Sequence, residues 1–306
     1  MMKRGALQIS FGWLFAIIIG AFIIFLAVFG VTKLMKTEQT TIDVKTGKEI
    51  GVLLNPLETG FESAKTTSLI IPAESRISNG CNDDGNFGKQ LISVSQKSFN
   101  KWTETNINVG FANKYIFSKG IVEGKKFYIF SKPFDFPFKV SDLIYMTSSN
   151  DIYCFADAPE EIKEEIETLN QTNLLVGDCS DDMINICFNG DCDINVDYDS
   201  GVVEKNEEEM YFVSDALMYA AIFGDAEVYE CQLKRLMQRI EVLSLIYQDK
   251  TDLVGVKGCE LDMNAGLVEL GNIADSFESS EKILVLKSKI ENLNDKNYFA
   301  GVCGLW

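Results

Sequence analysis

Histidine is absent from all 306 residues, and that absence excludes more chemistry than any residue type present suggests. Without imidazole there is no Ser-His-Asp or Cys-His nucleophile system and no His-ligated metal site. Proline is scarce, at five residues, and no low-complexity run occurs, which argues against a disordered chain. Positive charge is also in short supply: 28 basic residues face 45 acidic ones, for a net charge of −17. Lys3 and Arg4 are the only basic residues before Phe11. The sequence beyond them therefore carries 26 basic against 45 acidic residues, a net −19. Such a surface repels phosphate backbones, so nucleic acid is not an expected partner. It is repelled equally by anionic lipid headgroups and should stand off a bilayer rather than lie on one. No Walker loop, dinucleotide fingerprint or nucleophile elbow occurs, and no cofactor is expected.

Charge is missing altogether from Phe11 to Thr32, FGWLFAIIIGAFIIFLAVFGVT. At ~1.5 Å per helical residue this run crosses a hydrocarbon core of ~30 Å, with Trp13 near one interface. A buried core helix would normally keep a polar face. A cleaved secretory signal would have a shorter apolar region of ~7–15 residues. The expected partner of residues 11–32 is thus the lipid bilayer, through a single uncleaved span. Orientation by flanking charge is nearly balanced, since Lys3 and Arg4 oppose Lys33 and Lys36. The cysteines break the tie. All eight lie beyond the run, their number is even, and Cys187 and Cys192 stand in a C-x4-C spacing that suits zinc poorly. Disulfides in an oxidising compartment fit better, which places the C-terminal part outside the cytoplasm.

The residues entering the run are Lys3-Arg4-Gly5-Ala6-Leu7-Gln8-Ile9-Ser10. This stretch resembles the class III signal of archaeal type IV pilins and archaellins. In that family a prepilin peptidase cuts after the glycine that follows a basic residue and leaves the apolar helix on the mature chain. The resemblance implies a processing site between Gly5 and Ala6, and other surface or pilus subunits as partners. It covers about 30 residues. The fifth mature position, Glu in bacterial-type pilins, is Ser10 here. The remainder is similar to single-span archaeal surface proteins, a similarity that implies no activity.

Beyond the span the pattern predicts an α+β fold: a mixed α+β ectodomain with a helical C-terminal part. Three regions follow. Residues 1–36 form the cytoplasmic flank and anchor, 37–150 juxtamembrane helices and a β-rich region, and 151–306 an α+β region with C-terminal helices, the last two separate or one domain. Ile50, Leu53, Leu54, Leu57 and Phe61 recur at helical spacing, interrupted at Asn55-Pro56. Ser68 to Pro72 reads as a strand, and Lys114–Phe117 and Lys126–Phe130 as two more joined by a turn at Glu123-Gly124. Phe134, Phe136 and Phe138 alternate, as either a binding surface or strand packing. Residues 152–178 read as β-α-β, with Pro159 at the helix start. Asn189-Gly190 is a turn flanked by Cys187 and Cys192, which makes that pair the first disulfide candidate. A long helix begins at Asp215, with a possible break at Gly224-Asp225 and an end near Tyr247. On that reading Cys231 lies ~24 Å from the helix end, and Leu253 to Cys259 spans ~23 Å if extended. Cys231 and Cys259 are then the second candidate pair.

Asp193, Asn195, Asp197, Asp199 and Glu204 fall at positions 1, 3, 5, 7 and 12 of a calcium-loop pattern. Tyr198 stands where that loop needs glycine, and the alternation of Ile194, Val196 and Tyr198 reads instead as a half-buried strand with a wet acidic face. Glu207-Glu208-Glu209 reads as a solvated hairpin rim. Asn170-Gln171-Thr172 is an N-glycosylation sequon, meaningful only outside the cytoplasm. The expected function is therefore that of a membrane-anchored, extracytoplasmic structural or interaction protein without catalysis. The alternative is an extracytoplasmic hydrolase using paired carboxylates or a Ser-Lys pair.

Overall fold

The uncharged run and the region after it form one helix, α1 (Phe11–Leu53), 43 residues or ~65 Å long in the computed structural model. The structure describes residues 11–53, 65–98, 100–102, 108–259 and 261–306. Phe11–Leu34, 24 residues, is long and apolar enough to cross a membrane, and none of it is buried against the rest of the chain. The helix passes residue 36 without a break, so the boundary drawn there divides a single element. Its last turns return to protein: Ile50 is buried in an apolar cluster with Ile92 and Val94. Gly47 lies so close to Val109 and Val94 that a β-carbon there would meet the Val109 side chain at 3.2 Å. The expected interruption at Asn55-Pro56 lies outside the described residues.

Sheet one contains β1 (Lys65–Asn82), β2 (Lys89–Ser98), β3 (Lys101–Trp102), β4 (Val109–Phe111), β5 (Ile116–Phe117), β6 (Ile121–Asp135) and β7 (Lys139–Ser148). Its order is β3-β2-β1-β6-β7-β5, with β4 also on β2. β1 extends well past Pro72, the residue that marked the end of the expected strand. The β1–β6 register shifts between Ile70 and Ser75, so the proline sits in an irregularity where no ladder donor is required. The turn expected at Glu123-Gly124 is not one. Gly124 pairs with Ser75 inside β6, and the connection from β5 runs instead through residues 118–120.

Sheet two holds β8 (Tyr153–Ala156), β9 (Leu174–Val176), β10 (Ile184–Phe188), β11 (Ile194–Asp197), β12 (Val202–Lys205) and β13 (Glu208–Tyr211), ordered β13-β12-β11-β10-β8-β9. β8 and β9 are parallel and joined by helix α2 (Glu160–Leu169), the β-α-β unit read from the sequence. Ile162, Ile166 and Leu169 recur at helical spacing and form its buried face. β10 and β11 are also parallel, with Ile186 opposite Ile194, so the chain folds back through Asn189-Gly190 to restart beside the strand it has just left.

Between the sheets runs α3 (Asp215–Phe223), buried from Ala216 to Phe223, as expected of a helix that is apolar on every side. Ser214 caps it, its hydroxyl accepting the Leu217 N–H. Gly224-Asp225 breaks the helix as expected, and α4 (Ala226–Gly255) follows for 30 residues. α5 (Asn264–Asp275), a 3-10 turn at Ser280–Lys282 and α6 (Ile283–Phe299) complete the helical C-terminal part. The main core draws Tyr115–Tyr145 residues and Tyr153–Leu305 residues into one cluster, so the regions on either side of residue 150 share it. Phe134, Phe136 and Phe138 are buried there, Phe138 stacked on Tyr247 with ring centroids 4.3 Å apart, which is packing rather than a surface.

Candidate interaction surface

The cysteines are paired throughout: Cys81–Cys231, Cys154–Cys179, Cys187–Cys192 and Cys259–Cys303. Cys187–Cys192 closes the loop that returns β10 to β11. Cys231 does not pair with Cys259. The reason is length: α4 continues to Gly255, ~36 Å beyond Cys231, and the four residues left to Cys259 cannot retrace that distance. Cys231 is instead held near the start of α4 against the end of β1. Cys259 ties the far end of the helical region to the C-terminal tail. Gly5 and Ala6, the processing-site candidates, lie outside the described residues.

Around Cys259–Cys303 the surface changes character. Leu253, Val256, Tyr298, Phe299 and Val302 all lie within six residues of one of these cysteines in sequence, and all are exposed, Val256 by 89% and Phe299 by 82%. Each of these side chains would contribute about 1.5–3 kcal/mol if fully buried. A bridge that fixes two chain ends beside uncovered apolar side chains presents them as a preformed patch. An apolar patch on an otherwise strongly acidic domain is the usual mark of a contact surface.

Three polar assemblies lie elsewhere. In the first, Lys132 Nζ donates to both Glu165 oxygens at 2.8 and 2.6 Å and lies 3.4 Å from Asp215. Tyr219 and Tyr198 hydroxyls donate to Glu165 and Asp215, each at 2.9 Å. Burial, then the Glu165 charge, pushes the Tyr219 hydroxyl far above the ordinary tyrosine range. Burial and the Asp215 hydrogen bond push Tyr198 up to about 12. Each carboxylate already holds a cation and a phenol, the pattern of a structural ion network.

The second assembly centres on Arg235, which is fully buried and, among the described residues, is hydrogen-bonded to no carboxylate. Its guanidinium donates to the carbonyls of Phe87 (3.0 Å), Lys114 (2.9 Å) and Ala112 (3.0 Å) and to Gln232 Oε1 (2.5 Å), and covers the Tyr115 ring at 4.6 Å. Gln232 passes the chain to Gln90, and Gln90 to Asn79. One helix turn from Cys231, this network locks α4 to the loops of sheet one. Beside it a cleft of about 480 Å³ is lined by Asp83, Asp225, Glu227, Glu230 and Lys234.

The third is Lys205, half-buried, which donates to the Ile222 carbonyl in the last turn of α3 at 3.2 Å and to the Gly224 carbonyl just beyond it at 2.6 Å. Burial pulls its amine down to about 8. Between about pH 8 and 10 an unfolded chain keeps a proton that the folded chain has released, so stability should rise with pH across that window. Above about pH 10 unfolded tyrosines ionise, while burial keeps Tyr145, Tyr153, Tyr219 and Tyr229 protonated, and stability should fall. Denaturant midpoints of the full-length protein in detergent, measured from pH 7 to 11, should show this maximum. Lys205→Met should remove the rise and keep the fall.

The acidic series of residues 193–204 does not gather as a loop. Asp193 accepts the Asn185 N–H at 2.8 Å, Asn195 the Cys192 N–H at 2.8 Å and Asp197 the Ser200 N–H at 2.9 Å. The Ser200 N–H holds the Asp197 carboxyl below its usual range. Ile194 and Val196 are buried between them in β11, the half-buried strand read from the sequence. Among the described residues no group of three or more Cys, Asp or Glu is placed to hold a metal. The Arg235 hub and the Lys132 cluster were missed in the sequence. The signal for the hub was polar residues, Gln232 and Arg235, interrupting an apolar helix stripe, whereas the Lys132 cluster joins residues from separate segments and left no local signal. Compared with family models, with curated proteins and with solved structures, the chain matches none.

Proposed function

We propose that this chain is a single-span membrane protein that holds a disulfide-braced domain outside the cytoplasm and acts there as a structural or interaction protein, with pilin-like processing of its N-terminus. The observation that carries the reading is α1. It is an apolar helix with no protein around its first 24 residues, continuous with a segment that buries Gly47 and Ile50 against the domain. Such a rod transmits the position of the bilayer to the sheet without a flexible linker. The eight paired cysteines support an oxidising compartment. The apolar patch at Cys259–Cys303 supports a protein contact. Its occupant is a different surface subunit, because two copies of a chain that carries −19 beyond Arg4 repel each other.

One experiment addresses both halves of the reading. The mature protein is recovered from membranes after surface cross-linking of intact cells. Ala6 is expected at its N-terminus, together with a cross-linked heteromeric species that the Val256→Ser/Phe299→Ser/Val302→Ser variant loses while remaining in the membrane. A chain beginning at Met1 removes the pilin-like processing and leaves a plain anchored domain. Unchanged cross-linking in the triple variant removes the patch as the contact. Turnover of a glycan or peptide by the purified protein, abolished by one Asp, Glu or Ser substitution without unfolding, overturns the non-catalytic reading.

A further inference from the structure

We infer that Asn170 is an N-glycosylation site, carrying the one glycan this chain can accept at a sequon. The inference rests on the extracytoplasmic reading above. Asn170-Gln171-Thr172 is the only Asn-x-Ser/Thr in the sequence that lacks proline at its centre. Asn170 ends α2 in the left-handed conformation, φ 50°, with its main-chain N–H donating to Glu167 O. Its side chain is exposed, and among the described residues its amide has no hydrogen-bond partner.

The neighbouring residues are held the other way. Gln171 is buried and donates to Thr66 Oγ1 at 2.8 Å. Thr172 Oγ1 shares a 2.6 Å hydrogen bond with the Tyr128 hydroxyl. Asn173 is buried and donates to Thr147 and Ser148. The turn is thus fixed to sheet one through Gln171, Thr172 and Asn173, while the exposed Asn170 amide is left unengaged among the described residues. A saccharide there displaces no packed group. Thr172 belongs to the acceptor motif, and its hydroxyl is engaged by Tyr128 once the turn docks, so transfer precedes that docking.

The donor is a lipid-linked oligosaccharide. The Asn170 amide nitrogen forms a bond to the anomeric carbon. The bond from that carbon to the lipid phosphate oxygen breaks, the lipid phosphate leaves with the electron pair, and one amide proton passes to the transferase base.

The structural need at this position separates cleanly from the chemical one. Glycine serves a left-handed helix end at least as well as asparagine. Asn170→Gly therefore keeps the turn and deletes the acceptor, and Thr172→Ser keeps both the hydroxyl and the sequon.

The test is mass mapping of the full-length protein from the cells that make it, alongside protease treatment of the same intact cells. The expected result is a saccharide mass on the peptide that contains Asn170, wholly lost in Asn170→Gly and retained in Thr172→Ser. An unmodified Asn170 in a chain that the external protease cleaves overturns the glycosylation site and leaves the topology standing. A chain that the protease cannot reach overturns the topology, and the inference with it.

Discussion

Replacing Cys81 and Cys231 together by serine is expected to destabilise the domain more than removal of any other bridge. The two are 150 residues apart, and chain-entropy accounting assigns about 5 kcal/mol to a closure of that length. The same accounting gives about 4 kcal/mol for Cys259–Cys303, separated by 44 residues, and about 2 kcal/mol for Cys187–Cys192, separated by five. Cys81–Cys231 also joins elements far apart in the sequence, the end of β1 and the start of α4. Urea midpoints of the full-length variants in detergent should therefore fall most for C81S/C231S and least for C187S/C192S. Equal shifts, or the reverse order, would show that the bridges act through native-state contacts rather than through the unfolded chain.

Arg235→Ala should have the second large effect, about 3–5 kcal/mol. The substitution empties a guanidinium-sized volume at a fully buried position and removes the donors of the Phe87, Ala112 and Lys114 carbonyls at once. Burial already pulls the guanidinium below its ordinary range, so the carbonyls and the Tyr115 ring are what keep it charged there. Arg235→Lys retains the charge and loses the planar fork, and should recover only part of the loss. The same urea series read by near-ultraviolet circular dichroism checks this. A loss under 1 kcal/mol would mean that water replaces the side chain.

Where one segment decides its own structure, the sequence is legible. The apolar run of α1, the β-α-β unit around Pro159, the acidic β12–β13 hairpin rim and the break at Gly224-Asp225 are all local patterns, and each appears in the structure. Pairing across the chain is not local. Pro72 and Gly124 read as punctuation, yet each sits in a strand where the β1–β6 ladder is irregular, and only the partner strand shows that. The Cys231–Cys259 expectation failed for one reason: the helix was ended near Tyr247, and eight further helical residues to Gly255 carry the chain away from Cys231. The apolar patch was not legible either. Leu253 and Val256 stand about 40 residues from Tyr298 and Phe299, and only the Cys259–Cys303 pairing brings the two exposed segments together.

The central claim is that α1 spans the membrane and holds the domain outside. An impermeant protease added to intact, wall-stripped cells tests it most directly, read with antibodies raised against residues 65–306. The account predicts loss of that signal before permeabilisation, with a protected fragment that contains residues 11–34. Full protection of the domain, lost only when the membrane is opened, would contradict it.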